Sequence, residues 1–358
     1  MKQYRVAIVG AGIGREHLDA YREIPDRFLV ATLCDKDAER AHAVVGDGSD
    51  TAVSTSIDSV LKDESIDIVD VCLPPHLHKA ISIDALAAGK HVVCEKPLVA
   101  SLHDADELYA AVKASGKTLT PVFQYRFGPG LAQLRALIKA DLCGKPLTAN
   151  VETHWHRDAD YYDNPWRGTW KGEQGGAVLG HAIHNHDLLC SVFGPVKKLS
   201  AFTTTRVNDI ETEDCASLSF VMQNGAVASS SITLGAADDT TRLRFCFDRL
   251  TATSGKSPYA PADDVWSFQA RGNAKQSAID DCVATVVNAP VGYIGLFTEL
   301  ALMLDGKPND AVSFEDGRRS LELVTAVYHA NDEGVVVEMP IGPSNPRYKS
   351  WLPQNIRE

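Results

Sequence analysis

Apolar and polar positions along this chain follow two regimes that change near residue 124. Up to residue 123, short apolar runs alternate with stretches of helical periodicity. The runs at residues 5–9, 29–34, 67–73, 91–94 and 118–123 read as strands. The stretch 101–115 reads as a helix, with Leu102, Ala105, Leu108, Tyr109 and Val112 on one face. Ser101 and Asp104 form a capping pair at its start, and Gly116 supplies the stop. Such alternation predicts an α/β domain with a parallel, doubly wound sheet over residues 1–123. Pro121 cannot donate to a central ladder, so its strand is expected at the sheet edge.

From residue 124 the pattern changes. A helix is predicted at 131–139, ending by Gly144, followed by strands of period two at 148–155, 216–222, 226–233 and 243–247. Asn224-Gly225 is a hairpin signal between two of them. These strands predict a largely antiparallel sheet. Helices at 179–193, 294–304 and 314–329 are expected to cover one of its faces. The result is an α+β domain over residues 124–340 and a tail over 341–358.

Composition narrows the class of function. The net charge of -12 over 358 residues argues against nucleic acid and anionic membrane surfaces as partners. The eight cysteines show no C-x-x-C spacing, and Cys34, Cys72 and Cys94 sit in apolar strand-like runs as small hydrophobes. That usage suits a reducing compartment. The chain runs from Met1 straight into a strand with no signal-peptide pattern, and no apolar run reaches membrane length. A cytoplasmic protein is expected.

Candidate chemistry begins with Gly10-Ala11-Gly12-Ile13-Gly14-Arg15, which follows the first strand and opens a helix. Glycines there let the backbone approach a pyrophosphate, and the helix N-terminus favours its charge. The third glycine comes one residue early, and Arg15 stands in its usual place. Asp35 ends the second strand, where a carboxylate accepts ribose hydroxyls and favours NAD; it could equally cap the next helix. Arg15 and Lys36 keep NADP open. Leu73-Pro74-Pro75 makes a rigid turn, and the nearby His78 is either a cofactor contact or a packing histidine. Glu95-Lys96-Pro97 closes the strand at 91–94. A lysine at the carboxyl end of a strand can be shielded from water and brought into a useful pKa range, though a surface lysine before a helix has the same local sequence.

In the second regime, Gly175-Gly176 precedes a helix on which His181 and His184 share a face, as do His184 and Asp187. A histidine can take a hydroxyl proton near neutral pH, and a carboxylate can orient it. The two glycines would let a substrate approach the backbone, while His186 points off that face. His154 and His156 alternate on one strand, yet these spacings match neither H-E-x-x-H nor a zinc ribbon, so no metal is expected. The segment 156–171 carries Tyr161, Trp166 and Arg167 among other aromatic and charged residues. Such a loop either binds polyhydroxylated ligands or anchors itself through its aromatics.

Taken together, the glycine loop, Asp35, Pro75 with His78, Glu95-Lys96-Pro97, Gly175-Gly176 and His184 with Asp187 resemble the Gfo/Idh/MocA family of glucose–fructose oxidoreductases and inositol dehydrogenases. The resemblance covers nearly the whole chain, including residues 313–323. It implies a Rossmann domain that binds NAD, with NADP possible, through Gly10, Gly12, Ile13, Gly14, Arg15, Asp35, Lys36, Leu73, Pro74, Pro75, His78, Glu95 and Lys96. It implies a second domain whose open antiparallel sheet supports a homodimer or homotetramer. A sugar, sugar derivative or cyclitol would meet Lys96, Arg126, His156, Tyr161, Trp166, Arg167, His181, His184 and Asp187. Lys96 and His184, with His181 assisting, would carry hydride-transfer chemistry. Inositol dehydrogenase-like members place an aspartate four residues before the histidine, where this chain has Gly180. A non-catalytic sugar or dinucleotide sensor, and a zinc-dependent hydrolase, are the alternative readings.

Overall fold

A computed structural model describes residues 2–353 and residue 356. The end of the expected tail, residues 354, 355, 357 and 358, lies outside the described residues. The chain divides into two compact units. The first takes the chain to Phe123 together with Tyr293–Leu321; the second takes Gln124–Gly292 and the chain from Glu322 on.

In the first unit, β1 (Tyr4–Val9), β2 (Phe28–Cys34), β3 (Ala52–Ser54), β4 (Ile68–Val71), β5 (His91–Cys94) and β6 (Leu119–Pro121) form one sheet. Its order is β3-β2-β1-β4-β5-β6, with every pair parallel. Val6, Ile8, Ile68, Val69, Val92 and Val93 are wholly buried, which is why these strands read as continuous apolar runs. Pro121 lies on the edge strand β6. The Ser101 hydroxyl accepts the Asp104 N–H at 3.0 Å, and Gly116 ends that helix at φ 66°. Because the strands are parallel, the turns after β1, β2, β4 and β5 share one sheet edge, and the order reverses between β1 and β4.

The segment Tyr293–Leu321 corrects an expectation. Its helix Gly292–Leu304 falls, from Tyr293 on, in the first unit, where the expected span 124–340 had put it in the second. Phe297 stacks on Tyr21 at 3.8 Å, and the Tyr293 ring lies 4.5 Å from His17. The aromatic face of the helix Gly14–Arg22 is what this segment buries.

In the second unit the strands are β7 (Pro146–His156), β8 (Val196–Thr204), β9 (Cys215–Met222), β10 (Val227–Thr233), β11 (Gly235–Phe247), β12 (Leu250–Thr253), β13 (Ser267–Ala270) and β14 (Val337–Glu338). Their order is β13-β12-β11-β7-β10-β9-β8-β14. The β7–β10 pair is parallel and the others antiparallel, so the sheet is mixed. Period two holds along β9: Ala216, Leu218, Phe220 and Met222 are buried while Ser217 and Ser219 are exposed. At the β9–β10 turn, the Asn224 side-chain oxygen accepts the Ala226 N–H at 3.0 Å, and Gly225 takes φ 90°. The helix Ile183–Phe193 is fastened to the sheet by Asn185, which donates to Thr153 of β7 at 2.8 Å. His186 meets the Ser230 hydroxyl of β10 at 3.0 Å. A π-helical turn, Val178–Ala182, precedes this helix.

Candidate active site

Gly10 takes φ 108°, and a Cβ there would lie 2.2 Å from the Cys72 carbonyl oxygen, so the close passage of β1 and β4 requires glycine. Gly12 is different: a Cβ would meet nothing within 4 Å. Its missing side chain leaves open space above the loop, at the start of the helix Gly14–Arg22, which suits a pyrophosphate. Ile13, Arg15 and Lys36 are exposed around it. The buried Asp35 carboxylate accepts the Ala11 N–H at 2.7 Å and the Asp37 N–H at 2.9 Å. Arg40 donates to both of its oxygens at 2.7 Å. Burial alone would raise the Asp35 pKa, but the two backbone N–H groups and Arg40 hold it below the usual carboxylate range. Helix capping falls to Asp37, whose side chain accepts the Arg40 N–H. Arg40 was missed by sequence reasoning; its only local signal is a cation one helical turn past the strand-end aspartate.

Lys96 follows β5 and is half-buried. Its backbone N–H donates to one Glu95 oxygen at 3.0 Å, and the Lys96–Pro97 peptide is cis. The other Glu95 oxygen lies 3.2 Å from His17 Nε2. His78 is wholly buried, with Nδ1 2.8 Å from the Pro97 carbonyl and Nε2 2.7 Å from the Leu73 carbonyl. Both ring nitrogens therefore face backbone carbonyls, the geometry of a packing histidine. It joins the turn after β4 to the turn after β5, and burial lowers its pKa. Pro74 and Pro75 open the helix Pro75–Ala87.

In the second unit, His184 is buried and stacks on Tyr125 at 4.3 Å. His181 sits edge-on to Trp155 at 5.3 Å, with Nε2 3.3 Å from the Tyr161 hydroxyl. Arg167 donates to that hydroxyl and lies over the Tyr161 and Trp166 rings at 4.2 and 4.7 Å. The loop aromatics, Arg167 and His181 thus form one connected cluster, from which Trp166 projects at 46% exposure. His156 stands apart from it. That side chain is exposed, meets the Ala236 carbonyl at 3.0 Å, and lines a cavity of about 660 Å³ with Arg157, Tyr162 and Asn208.

Arg126 donates through Nε and Nη2 to the two Asp187 oxygens at 2.6 and 2.5 Å, and both residues are buried. This two-pronged ion pair ties the helix Ile183–Phe193 to the turn Gln124–Arg126. The glycines before the helix also serve packing. A Cβ at Gly176 would lie 1.9 Å from the Glu213 carbonyl, and one at Gly175 would lie 2.6 Å from the Tyr328 hydroxyl. The buried Glu213 carboxyl accepts from Gly176 N, Val178 N and the Tyr328 hydroxyl at 3.1, 3.0 and 3.0 Å. Burial pushes its pKa up to about 7. A Cβ at Gly180, by contrast, would meet nothing within 4 Å. Among the described residues, side chains gathered closely enough to hold a metal ion are His17, Asp70 and Cys72, and His103, Asp104 and Glu107; the second-unit histidines belong to neither group.

Comparison with known proteins adds to this geometry. Residues 4–123 match the family described as "Oxidoreductase family, NAD-binding Rossmann fold", and residues 131–253 match the "GFO/IDH/MocA C-terminal domain". The D-apiose dehydrogenase of Paraburkholderia graminis is 26% identical over 366 residues, covering 95% of this chain and 90% of that protein. The WlbA dehydrogenase of Bordetella pertussis, solved with NADH and UDP-GlcNAcA, superposes with a TM-score of 0.82 at 26% identity over 95% of this chain and all (100%) of that one. A levoglucosan dehydrogenase solved with NADH and levoglucosan reaches a TM-score of 0.78 at 21% identity, over 95% of this chain and 100% of that one, and speaks for the fold alone.

Proposed function

The chain belongs to the Gfo/Idh/MocA family of NAD-binding oxidoreductases, and we propose that it moves hydride between NAD and a secondary alcohol or ketone of a sugar, sugar derivative or cyclitol. One observation carries this reading: the loop Gly10–Gly14, Asp35 and Lys96 all stand at the same edge of the parallel sheet. The open backbone at Gly12 would hold the pyrophosphate, and Asp35 the ribose of the adenosine. The nicotinamide supplies the hydride acceptor or donor when bound. Lys96 Nζ donates a hydrogen bond to the reacting oxygen and stabilises its developing charge. A ring nitrogen of His184 takes the hydroxyl proton in oxidation and returns it in reduction. The cluster of His181, Tyr161 and Arg167 offers donors and an aromatic face to a sugar.

D-apiose dehydrogenase and a dehydrogenase bound to UDP-GlcNAcA bracket the substrate range to be searched, from a free pentose to a nucleotide-linked uronic acid. Asp35 favours NAD, with NADP the poorer cofactor. The eight free cysteines support a reducing cytoplasm as the place of action. No helix among the described residues is long and apolar enough to cross a membrane. The open sheet face, where Phe202 is 75% and Val227 49% exposed, supports a homodimer or homotetramer, which sedimentation would measure.

The test is a screen of sugars, cyclitols and nucleotide-sugars for NADH formation, repeated with Lys96→Ala. Turnover of the best substrate should fall roughly a hundredfold or more while NAD still binds. Near-normal turnover would remove Lys96 from the chemistry. Tight NAD binding without turnover of any compound would favour the sensor reading that Gly180 suggests.

A further inference from the structure

The first unit holds a buried ionic line that the proposed reaction does not use. His17 lies on the helix Gly14–Arg22, one turn after the glycine loop, and its imidazole is wholly buried. Nδ1 is 2.8 Å from an Asp70 oxygen on β4 and 3.3 Å from Cys72 Sγ. Nε2 is 3.2 Å from one Glu95 oxygen, and the other Glu95 oxygen accepts the Lys96 N–H at 3.0 Å. The rings of Tyr293 and Phe297 close over the imidazole at 4.5 and 5.5 Å. An imidazole with a carboxylate at each nitrogen is satisfied when both nitrogens carry protons. Burial alone would favour the neutral ring, but the Asp70 charge outweighs it and raises the His17 pKa. Burial also raises the pKa of the Cys72 thiol, which sits beside the imidazole as a weak hydrogen-bonding partner.

We propose that His17 is a positioning residue for Lys96: clamped between Asp70 and Glu95, it holds the Glu95 carboxylate against the Lys96 N–H and so ties Lys96 to the helix that opens the cofactor loop. His17 is sealed from solvent and meets no substrate; its effect passes through Glu95. The proposal rests on the reading of Lys96 as the residue that meets the reacting oxygen.

Two variants separate the ends of the clamp. His17→Asn keeps a donor toward Asp70 and loses the one toward Glu95, whereas His17→Gln does the reverse. The readout is the resonance of Lys96 after reductive methylation of the lysines with ¹³C-formaldehyde, assigned by its loss in Lys96→Arg and recorded with NADH bound. In His17→Asn the Lys96 signal should move, and its titration midpoint should shift by roughly half a unit or more, while His17→Gln stays near the parent. For any sugar that is turned over, kcat of His17→Asn should fall roughly tenfold or more with KM for NAD little changed. A Lys96 signal unmoved in both variants overturns the proposal. So does an equal shift in both that merely tracks a common loss of melting temperature. If neither variant folds, Glu95→Gln keeps an acceptor for the Lys96 N–H and drops the charge facing His17; an unmoved Lys96 signal there also overturns it. The resonance needs no turnover, so failure of the dehydrogenase reading shows separately, as a parent enzyme that forms no NADH.

Discussion

Two buried histidines, one in each unit, sit in opposite electrostatic settings. His17 is wholly buried with Asp70 on one nitrogen and Glu95 on the other, and the Asp70 charge raises its pKa against the pull of burial. His186 is 2% exposed, meets the Ser230 hydroxyl and the edge of Phe220, and burial pushes its pKa down to about 4. Equal burial gives shifts of opposite sign. Desolvation strips the proton from a histidine unless a carboxylate compensates for the lost water. The first unit therefore keeps an ionic core beside its cofactor loop, where direction matters. The second uses a neutral imidazole as a hydrogen-bonded peg between helix and sheet.

The sharpest way to break this contrast is Asp70→Asn. Removing one partner of a buried ionic cluster should cost about 3–5 kcal/mol in denaturant unfolding. A loss below about 1 kcal/mol would mean that His17 is already neutral. The sign against pH is fixed. A raised folded pKa gives His17 stabilisation that is complete below the ordinary histidine value and lost as pH rises through the folded value. Asp70→Asn should flatten that alkaline decline.

A carboxyl provides the next test. Glu213 has its pKa raised from 4.5 to about 7 when folded, so the native chain holds this proton more tightly than the unfolded one. Its stabilising share is complete below pH 4.5 and is lost by about pH 7, a change of about 3 kcal/mol. Urea melts across that range should show the decline in the parent and a flatter curve in Glu213→Gln. Ser230→Ala deprives His186 of its partner and should cost about 1–2 kcal/mol by the same melts. A cost matching that of Asp70→Asn would erase the distinction between peg and ionic clamp. Smallest is Gly180→Ala. With nothing within 4 Å of the new Cβ, stability should change by less than about 1 kcal/mol, whereas a large loss would show the space to be needed.

How much of this was legible in the sequence follows from the range of each signal. Strands β1, β2, β4 and β5 were legible because burial makes most of their residues apolar, with Asp70 of β4 the buried exception. The cap at Ser101, the stop at Gly116 and the turn at Asn224-Gly225 were legible because their partners lie two or three residues away. Strand β3 was not, since its three residues are exposed or half-buried, whereas the equally short edge strand β6 is buried throughout and lies in an apolar run. The helix Gly292–Leu304 could be recognised as apolar, but periodicity cannot say which surface an apolar face will meet. The candidate site divides in the same way. Gly10, Asp35 and Lys96 sit at strand ends, which local pattern locates. Arg126 and Asp187 are 61 residues apart, and His17 lies 53 and 78 residues from Asp70 and Glu95. Helical spacing cannot announce such pairings, so neither the Arg126–Asp187 ion pair nor the setting of His17 was legible.

The pairing of Asp35 with Arg40 bears on how long the cofactor stays. A carboxylate offers about four lone-pair sites. At Asp35 the Ala11 and Asp37 N–H groups and the forked contact from Arg40 occupy both oxygens before any ribose arrives. On the proposed reading of Asp35 as the ribose acceptor, arriving hydroxyls would compete with a guanidinium that stays tethered nearby, and its return would assist departure of the cofactor. Arg40→Ala, on the helix Ala38–Val45, should then lengthen residence, read as slower NADH dissociation in stopped-flow fluorescence; unchanged dissociation would set that competition aside.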